Sequence, residues 1–135
     1  MSRRRVVRLI VMPLLILAVA WGLSVATRHR HVGEIATFER AVTAWCEAAA
    51  RGEEPPVPVA PELPRLRVVE AIRSVCRKDD HPAAWSIAVA AGPGTAPPGS
   101  ATHHAMIRVD GRDALGLGLG LPGGRPLVVG YWLVP

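Results

Sequence analysis

Cys46 and Cys76 are the only cysteines in this 135-residue sequence, and their type and spacing point to disulfide chemistry. A single pair of cysteines in an exported domain predicts a disulfide bond, because such compartments are oxidising. Both residues fall near the ends of predicted helices, so we expect their Cα atoms to lie within about 7 Å of each other. A catalytic thiol is the alternative, but the sequence contains no CxxC motif. The pattern therefore favours a structural bond.

Five histidines raise the question of a metal site, but their spacing does not support one. They are His29, His31, His81, His103 and His104. The two adjacent residues His103 and His104 open a predicted strand, where neighbouring side chains point to opposite faces and cannot easily share one ion. No HExxH or comparable ligand spacing occurs in the chain. The sequence predicts no metal ligand.

Other catalytic motifs are missing or out of place. Residues 118–123 match the letters GxGxxG, but Pro122 and Pro126 interrupt the helix that a dinucleotide site requires. No serine stands in a G-x-S-x-G motif, and the Asp-Asp-His sequence at 79–81 is typical of a solvated helix end. We therefore predict no catalytic residue and no cofactor, and a binding or scaffolding role. A small secreted enzyme or inhibitor is the alternative.

Positive charge is concentrated at the start of the sequence. The formal net charge is +5 at pH 7, and four arginines precede the first apolar run. From residue 27 onward, twelve basic residues stand against eleven acidic ones, a net charge of +1. Nucleic-acid binding requires a clustered basic surface with stacking aromatic side chains between the charges. The charge distribution therefore argues against nucleic acid as a partner.

An uncharged apolar run, LIVMPLLILAVAWGLSVA, extends from residue 9 to residue 26. As a helix it would be about 27 Å long, enough for a thin hydrocarbon core. The arginines before it predict a cytoplasmic N-terminus and an extracytoplasmic remainder. We therefore divide the chain into a cytoplasmic basic segment 1–8, a transmembrane signal anchor 9–27 in contact with membrane lipid, and a small extracytoplasmic domain 28–135 in a bacterial envelope.

The same apolar run is also compatible with a cleaved signal peptide. Ser24, Val25 and Ala26 include the small residues that signal peptidases prefer, and cleavage after Ala26 would release a secreted domain. Residues 2–8 resemble a twin-arginine export signal. Signal-peptide cores usually span about 7–15 residues, so the longer run favours the anchor.

Beyond the apolar run, hydrophobic periodicity predicts helices. One amphipathic helix is expected over residues 33–52, ending at Gly52. Its apolar stripe consists of Ile35, Phe38, Val42, Trp45 and Ala49. A second helix is expected to open at Pro64, although its β-branched residues leave a strand as an alternative. Its apolar side consists of Leu66, Val69, Ile72 and Cys76. The proline-rich residues 53–61 between the two predict an extended connector.

From residue 85 onward the apolar period changes to two, which predicts strands. The segments concerned are 85–90, 103–109, 115–121 and 127–134. The predicted fold class is α+β, with an N-terminal transmembrane helix and then one or two helices packed on a four-stranded antiparallel meander.

The Asp-Gly dipeptide at 110–111 predicts a two-residue hairpin turn. Counting outward from this turn pairs Arg108 with Asp113 and, without a break in the ladder, Met106 with Leu115. One face of the sheet would then be too apolar to stay in water, so we expect an envelope protein or a second copy of the chain to cover it. This candidate partner face consists of Met106, Leu115 and Leu117.

Overall fold

The computed structural model describes residues 3–78, 81–92, 94 and 101–135. The chain divides into two compact units, Met1–Glu34 and Ile35–Pro135. One helix, α1 (Arg3–Ala50), contributes to both units. The sequence analysis predicted two helices in this stretch. They form a single helix because residues 27–32 contain neither glycine nor proline to interrupt it.

The first unit consists of α1 up to Glu34. Its apolar part, Arg5–Ala26, is 22 residues long, and none of it is buried within the protein. The exposed side chains include large ones such as Ile16 and Trp21. A helix with this length and composition is able to cross a membrane, and signal sequences share the same properties.

The second unit is built on a four-stranded antiparallel sheet. Helix α2 (Arg65–Cys76) is followed by two short paired strands, β1 (Arg77–Lys78) and β2 (His81–Pro82). The sheet strands are β3 (Trp85–Ala91), β4 (His103–Val109), β5 (Arg112–Gly120) and β6 (Leu127–Leu133), adjacent in that order. A 3-10 turn at Pro122–Gly124 connects β5 to β6. The α+β fold with a four-stranded antiparallel meander is confirmed.

Residues of α1 from Ile35 onward and residues of α2 form the core with one face of the sheet, called here the core face. The largest fully buried apolar side chains in this core are Phe38, Ile72, Ile107, Leu115, Leu117 and Leu119. Every second residue of β4 and β5 points to this face, as expected for a pleated strand. Full burial of a leucine, isoleucine or phenylalanine side chain contributes about 1.5–3 kcal/mol to stability.

The end of α1 and the start of α2 agree with the sequence prediction. Gly52 has a φ of +80°, and its N–H and that of Glu53 donate to the carbonyls of Ala49 and Ala48, each at 3.0 Å. These two bonds form a Schellman motif. It ends α1 at Gly52, because glycine readily adopts the left-handed backbone conformation that the motif requires. At the start of α2, the carbonyl of Pro64 accepts the first helical hydrogen bonds.

The apolar side predicted for α2 was wrong at one position. Leu66 is 78% exposed, whereas Val69, Ile72 and Cys76 are buried as expected. Val68 is buried in its place. Because successive helical residues are rotated by about 100°, a residue two positions before Val68 lies on nearly the opposite side of the helix.

The proline-rich connector is extended, and it packs against the sheet instead of standing free. Val59 forms a parallel bridge with Val128 in β6. The Val128 N–H donates to the Pro58 carbonyl, and the Ala60 N–H donates to the Val128 carbonyl, both at 2.9 Å. The connector therefore covers the first part of the β6 edge.

The hairpin turn between β4 and β5 lies where the sequence placed it. Asp110 and Gly111 have φ angles of 52° and 77°, as a type I′ turn requires. Arg108 is paired with Asp113 across the ladder, and the Arg108 Nε donates to the Asp113 Oδ1 at 2.7 Å. The predicted pair next to the turn is therefore confirmed.

Beyond this pair the predicted register was wrong. The ladder shifts by one residue between Ile107 and Arg108, which leaves Ala114 without a partner in β4. Met106 consequently lies opposite Gly116, not opposite Leu115. An extra residue of this kind is a β-bulge, and it reverses which face the following side chains point to.

Candidate functional site

The three residues of the predicted partner face do not lie together. Leu115 and Leu117 are fully buried in the core. Met106 lies in the row of residues that points to the other face, and it is half-buried. The bulge at Ala114 causes the difference, because it turns the leucines toward the helices. The apolar surface expected at Leu115 and Leu117 is thus covered by the chain itself.

The sheet face away from the core, called here the second face, carries a different set of residues. One row across the four strands consists of Ala88, Met106, Gly116 and Trp132. The next row consists of Ala90, His104, Gly118 and Gly130. Small residues therefore form the floor of this face, and only Met106, His104 and Trp132 bring large side chains to these two rows.

Trp132 lies over the glycine next to it in the sheet. A Cβ atom added at Gly116 would collide with the Cε2, Cζ2 and Nε1 atoms of the indole. Glycine is therefore required at this position for the tryptophan to pack onto the backbone. The sequence analysis did not identify Trp132 as a residue that packs on β5.

An open groove of about 400 Å³ borders this tryptophan. The side chains of His104, Met106 and Trp132 line it, together with Gly94 and residues 133–135. The groove is mainly apolar, and its aromatic and thioether groups adapt well to apolar ligands.

His104 supplies the one titratable ring in this groove. Its Nδ1 lies 2.9 Å from the carbonyl oxygen of Gly92. Because a carbonyl can only accept a hydrogen bond, Nδ1 is the donor in this contact. Gly94 packs against the same ring, since a Cβ there would lie 2.9 Å from the His104 Cγ. The imidazole is thereby held by backbone on two sides.

Cys46 and Cys76 meet in the core, as the sequence predicted. Their Cα atoms are 5.4 Å apart, and the two residues form a disulfide that joins α1 to α2. Both are completely buried. Their position between two helices agrees with a structural role.

The two adjacent histidines point to opposite faces, as predicted for a strand. His103 is buried on the core face, with its ring centroid 4.8 Å from that of Phe38 and its Nδ1 2.9 Å from the Thr102 Oγ1. His104 is on the second face, so the two do not converge on one ion. Among the residues that the structure describes, no group of three or more histidine, cysteine or acidic side chains could hold a metal. Asp79 and Asp80 lie outside the described residues.

The GxGxxG match at 118–123 runs from the end of β5 into the 3-10 turn and is not followed by a helix. It therefore lacks the strand–helix geometry of a dinucleotide site. Comparison with known proteins adds no further site, since no protein-family model, curated protein or solved structure matches the chain.

Proposed function

We propose that this chain is a single-pass membrane protein whose α+β unit lies outside the cytoplasm and binds or scaffolds another envelope component. The observation that carries the proposal is the apolar stretch Arg5–Ala26 of α1. It is 22 residues long, and the protein buries none of it. A helix satisfies its own backbone hydrogen bonds, so an apolar helix of this length is stable in hydrocarbon. The arginines at positions 3, 4, 5 and 8, before and within its first turn, favour a cytoplasmic N-terminus.

The disulfide supports an extracytoplasmic location for the second unit. Cys46 and Cys76 are joined in the core, and disulfides form and persist mainly in oxidising compartments. In the cytosol the same two thiols would be kept reduced, and the second unit would lose the stabilisation that the bond provides.

A binding role is supported by the chemistry of the groove on the second face. Tryptophan and methionine provide large apolar contact areas, and tryptophan is enriched among residues that dominate binding energy. The His104 ring adds a polar group beside them. An apolar side chain presented by an envelope protein would match this combination.

Fractionation of cells that express the full chain tests the location. The protein should stay in carbonate-washed membranes, and protease added outside spheroplasts should digest the α+β unit. Replacing Leu15 and Leu17 by arginine should release the chain from the membrane, because each charge at the centre of a span costs about 2.5–3.5 kcal/mol. Leu66→Arg is the control, since Leu66 is also an exposed leucine but lies in α2. Digestion only after cell lysis would contradict the proposal.

A secreted protein is the second candidate, favoured by the small residues Ser24 and Ala26. N-terminal sequencing of the mature protein distinguishes the two. A chain that keeps its first residues supports the anchor, whereas a soluble product starting at Thr27 would establish secretion. The variant Ala26→Phe should change nothing in an anchored protein, but it should block processing of a secreted one.

A further inference from the structure

Strand β3 forms one edge of the sheet and has a neighbour, β4, on one side only. Two flanking hydrogen bonds define which backbone groups face β4. The Asp110 N–H donates to the Ala84 carbonyl at 2.9 Å, and the Gly92 N–H donates to the Thr102 carbonyl at 2.8 Å. Because the inward and outward directions alternate along an antiparallel strand, every second residue of β3 presents its N–H and C=O away from the sheet. These residues are Trp85, Ile87, Val89 and Ala91.

This edge is unprotected in the described part of the chain. No hydrogen bond from a described residue reaches the outward backbone groups of β3. At the opposite edge of the sheet, by contrast, the connector bonds to Val128 of β6. Proteins usually protect an exposed edge with charged residues, proline or a bulge. The β3 sequence WSIAVAA has neither charge nor proline, and its ladder with β4 is regular.

We propose that β3 pairs antiparallel with β3 of a second copy of this chain, around a two-fold axis at Ala88. In this register Ile87 of one copy lies opposite Val89 of the other, and Trp85 lies opposite Ala91. All four outward-facing residues of each strand then have a hydrogen-bonding partner. An axis at Ile87 or Val89 would leave an outward residue at one end of the strand unpaired.

A second copy fits this edge because the edge is complementary to itself. A two-fold interface requires that the same surface serve on both subunits, and the alternation centred on Ala88 meets that requirement. The side chains agree as well. Trp85, Ile87 and Val89 are half-buried on the core face, so pairing extends their apolar row across the interface. On the second face, Ser86, Ala88 and Ala90 are small and uncharged, so neither charge nor bulk opposes close approach.

Cysteine cross-linking of the purified full-length chain tests both the pairing and its register. Ala88 of the two copies forms a non-hydrogen-bonded pair, with Cα atoms about 4.5 Å apart. A disulfide spans about 4.4–6.8 Å, so Ala88→Cys should give a covalent dimer under mild oxidation. Ser86→Cys and Ala90→Cys are the matched controls on the same strand and face. In the proposed register each control residue lies about 13 Å from the same residue of the other copy, so neither single variant should cross-link.

The double variant Ser86→Cys with Ala90→Cys provides a second, independent test of the register. These two positions face each other across the proposed interface, so the double variant should dimerise although its single variants do not. The proposal would be overturned if Ala88→Cys formed no covalent dimer, or if all three single variants cross-linked equally. The result is independent of the proposed membrane location, because a secreted chain would dimerise in the same way.

Discussion

The indole of Trp132 occupies the space directly above the Cα of Gly116, on the sheet face that the helices do not cover. The two residues are opposite each other in the β5–β6 ladder, so a side chain at position 116 and the tryptophan compete for the same volume. The shape of the second-face groove therefore depends on the absence of a side chain at one position of β5.

Replacing Gly116 by alanine should destabilise the second unit by about 1–3 kcal/mol, the usual range for overpacking. The same replacement in a Trp132→Ala background should cost much less, because the competing ring is gone. Denaturant unfolding of the wild type, the two single variants and the double variant gives the coupling energy between positions 116 and 132. Gly33→Ala is a control, since a Cβ at Gly33 meets no atom within 4 Å and alanine favours the helix. Additive effects of the two changes would contradict the packing described here.

The corrected register makes a direct prediction about the leucines. Leu117→Ala should cost about 2–5 kcal/mol of unfolding free energy, because Leu117 is fully buried and its truncation leaves a cavity. Leu66→Ala removes the same atoms from a side chain that is 78% exposed, and its effect should stay within about 0.5 kcal/mol. Urea unfolding measures both. Similar values for the two variants would mean that Leu117 lies on the sheet face away from the helices, as the uninterrupted register predicted.

The disulfide should contribute strongly to stability. Its two cysteines are 30 residues apart in sequence, so the chain-entropy model predicts a loss of about 3–4 kcal/mol when both are replaced by alanine. Unfolding of the wild-type chain in dithiothreitol should match that of the double variant, which dithiothreitol should not affect. Thiol labelling of the exported protein, denatured but not reduced, should find no free cysteine. Two reactive thiols there would contradict the bond.

The ion pair beside the hairpin turn should matter little for stability. Arg108 and Asp113 are about half exposed, so their charges are screened by water. A double-mutant cycle with Arg108→Ala and Asp113→Ala should give a coupling energy of about 0.2–1 kcal/mol, which added salt should reduce. A coupling above this range would show that the pair is less solvated than its exposure indicates.

Local chemistry was sufficient to predict much of the fold. The change of apolar period at residue 85 predicted the strands, and the glycine at position 52 predicted the end of a helix. The Asp110-Gly111 turn predicted the adjacent Arg108–Asp113 pair, because a type I′ turn determines which residues meet beside it. Each of these predictions depends on residues that are close in sequence.

The bulge could not be predicted in the same way. The alternation of leucine and glycine in β5 shows that Leu115, Leu117 and Leu119 share a face, but not whether Asp113 shares it. One extra residue at Ala114 decides that question, and alanine has no strong preference for a bulge or a regular strand position. The second-face groove was missed for this reason, because the uninterrupted register placed Leu115 and Leu117 on the Met106 side, where the structure has Gly116 and Trp132.

The bulge at Ala114 also determines which changes of length the hairpin can accept. Without a bulge, each residue added or removed between the turn and Leu115 would exchange the two faces of the strand. Deleting Ala114 alone would remove the bulge itself: Leu115 would then directly follow Asp113 and would still lie opposite Ile107, so the three leucines would stay in the core. The bulge therefore holds one extra residue without moving the leucines, and the hairpin should accept deletion of Ala114 with the Arg108–Asp113 and Ile107–Leu115 pairs intact.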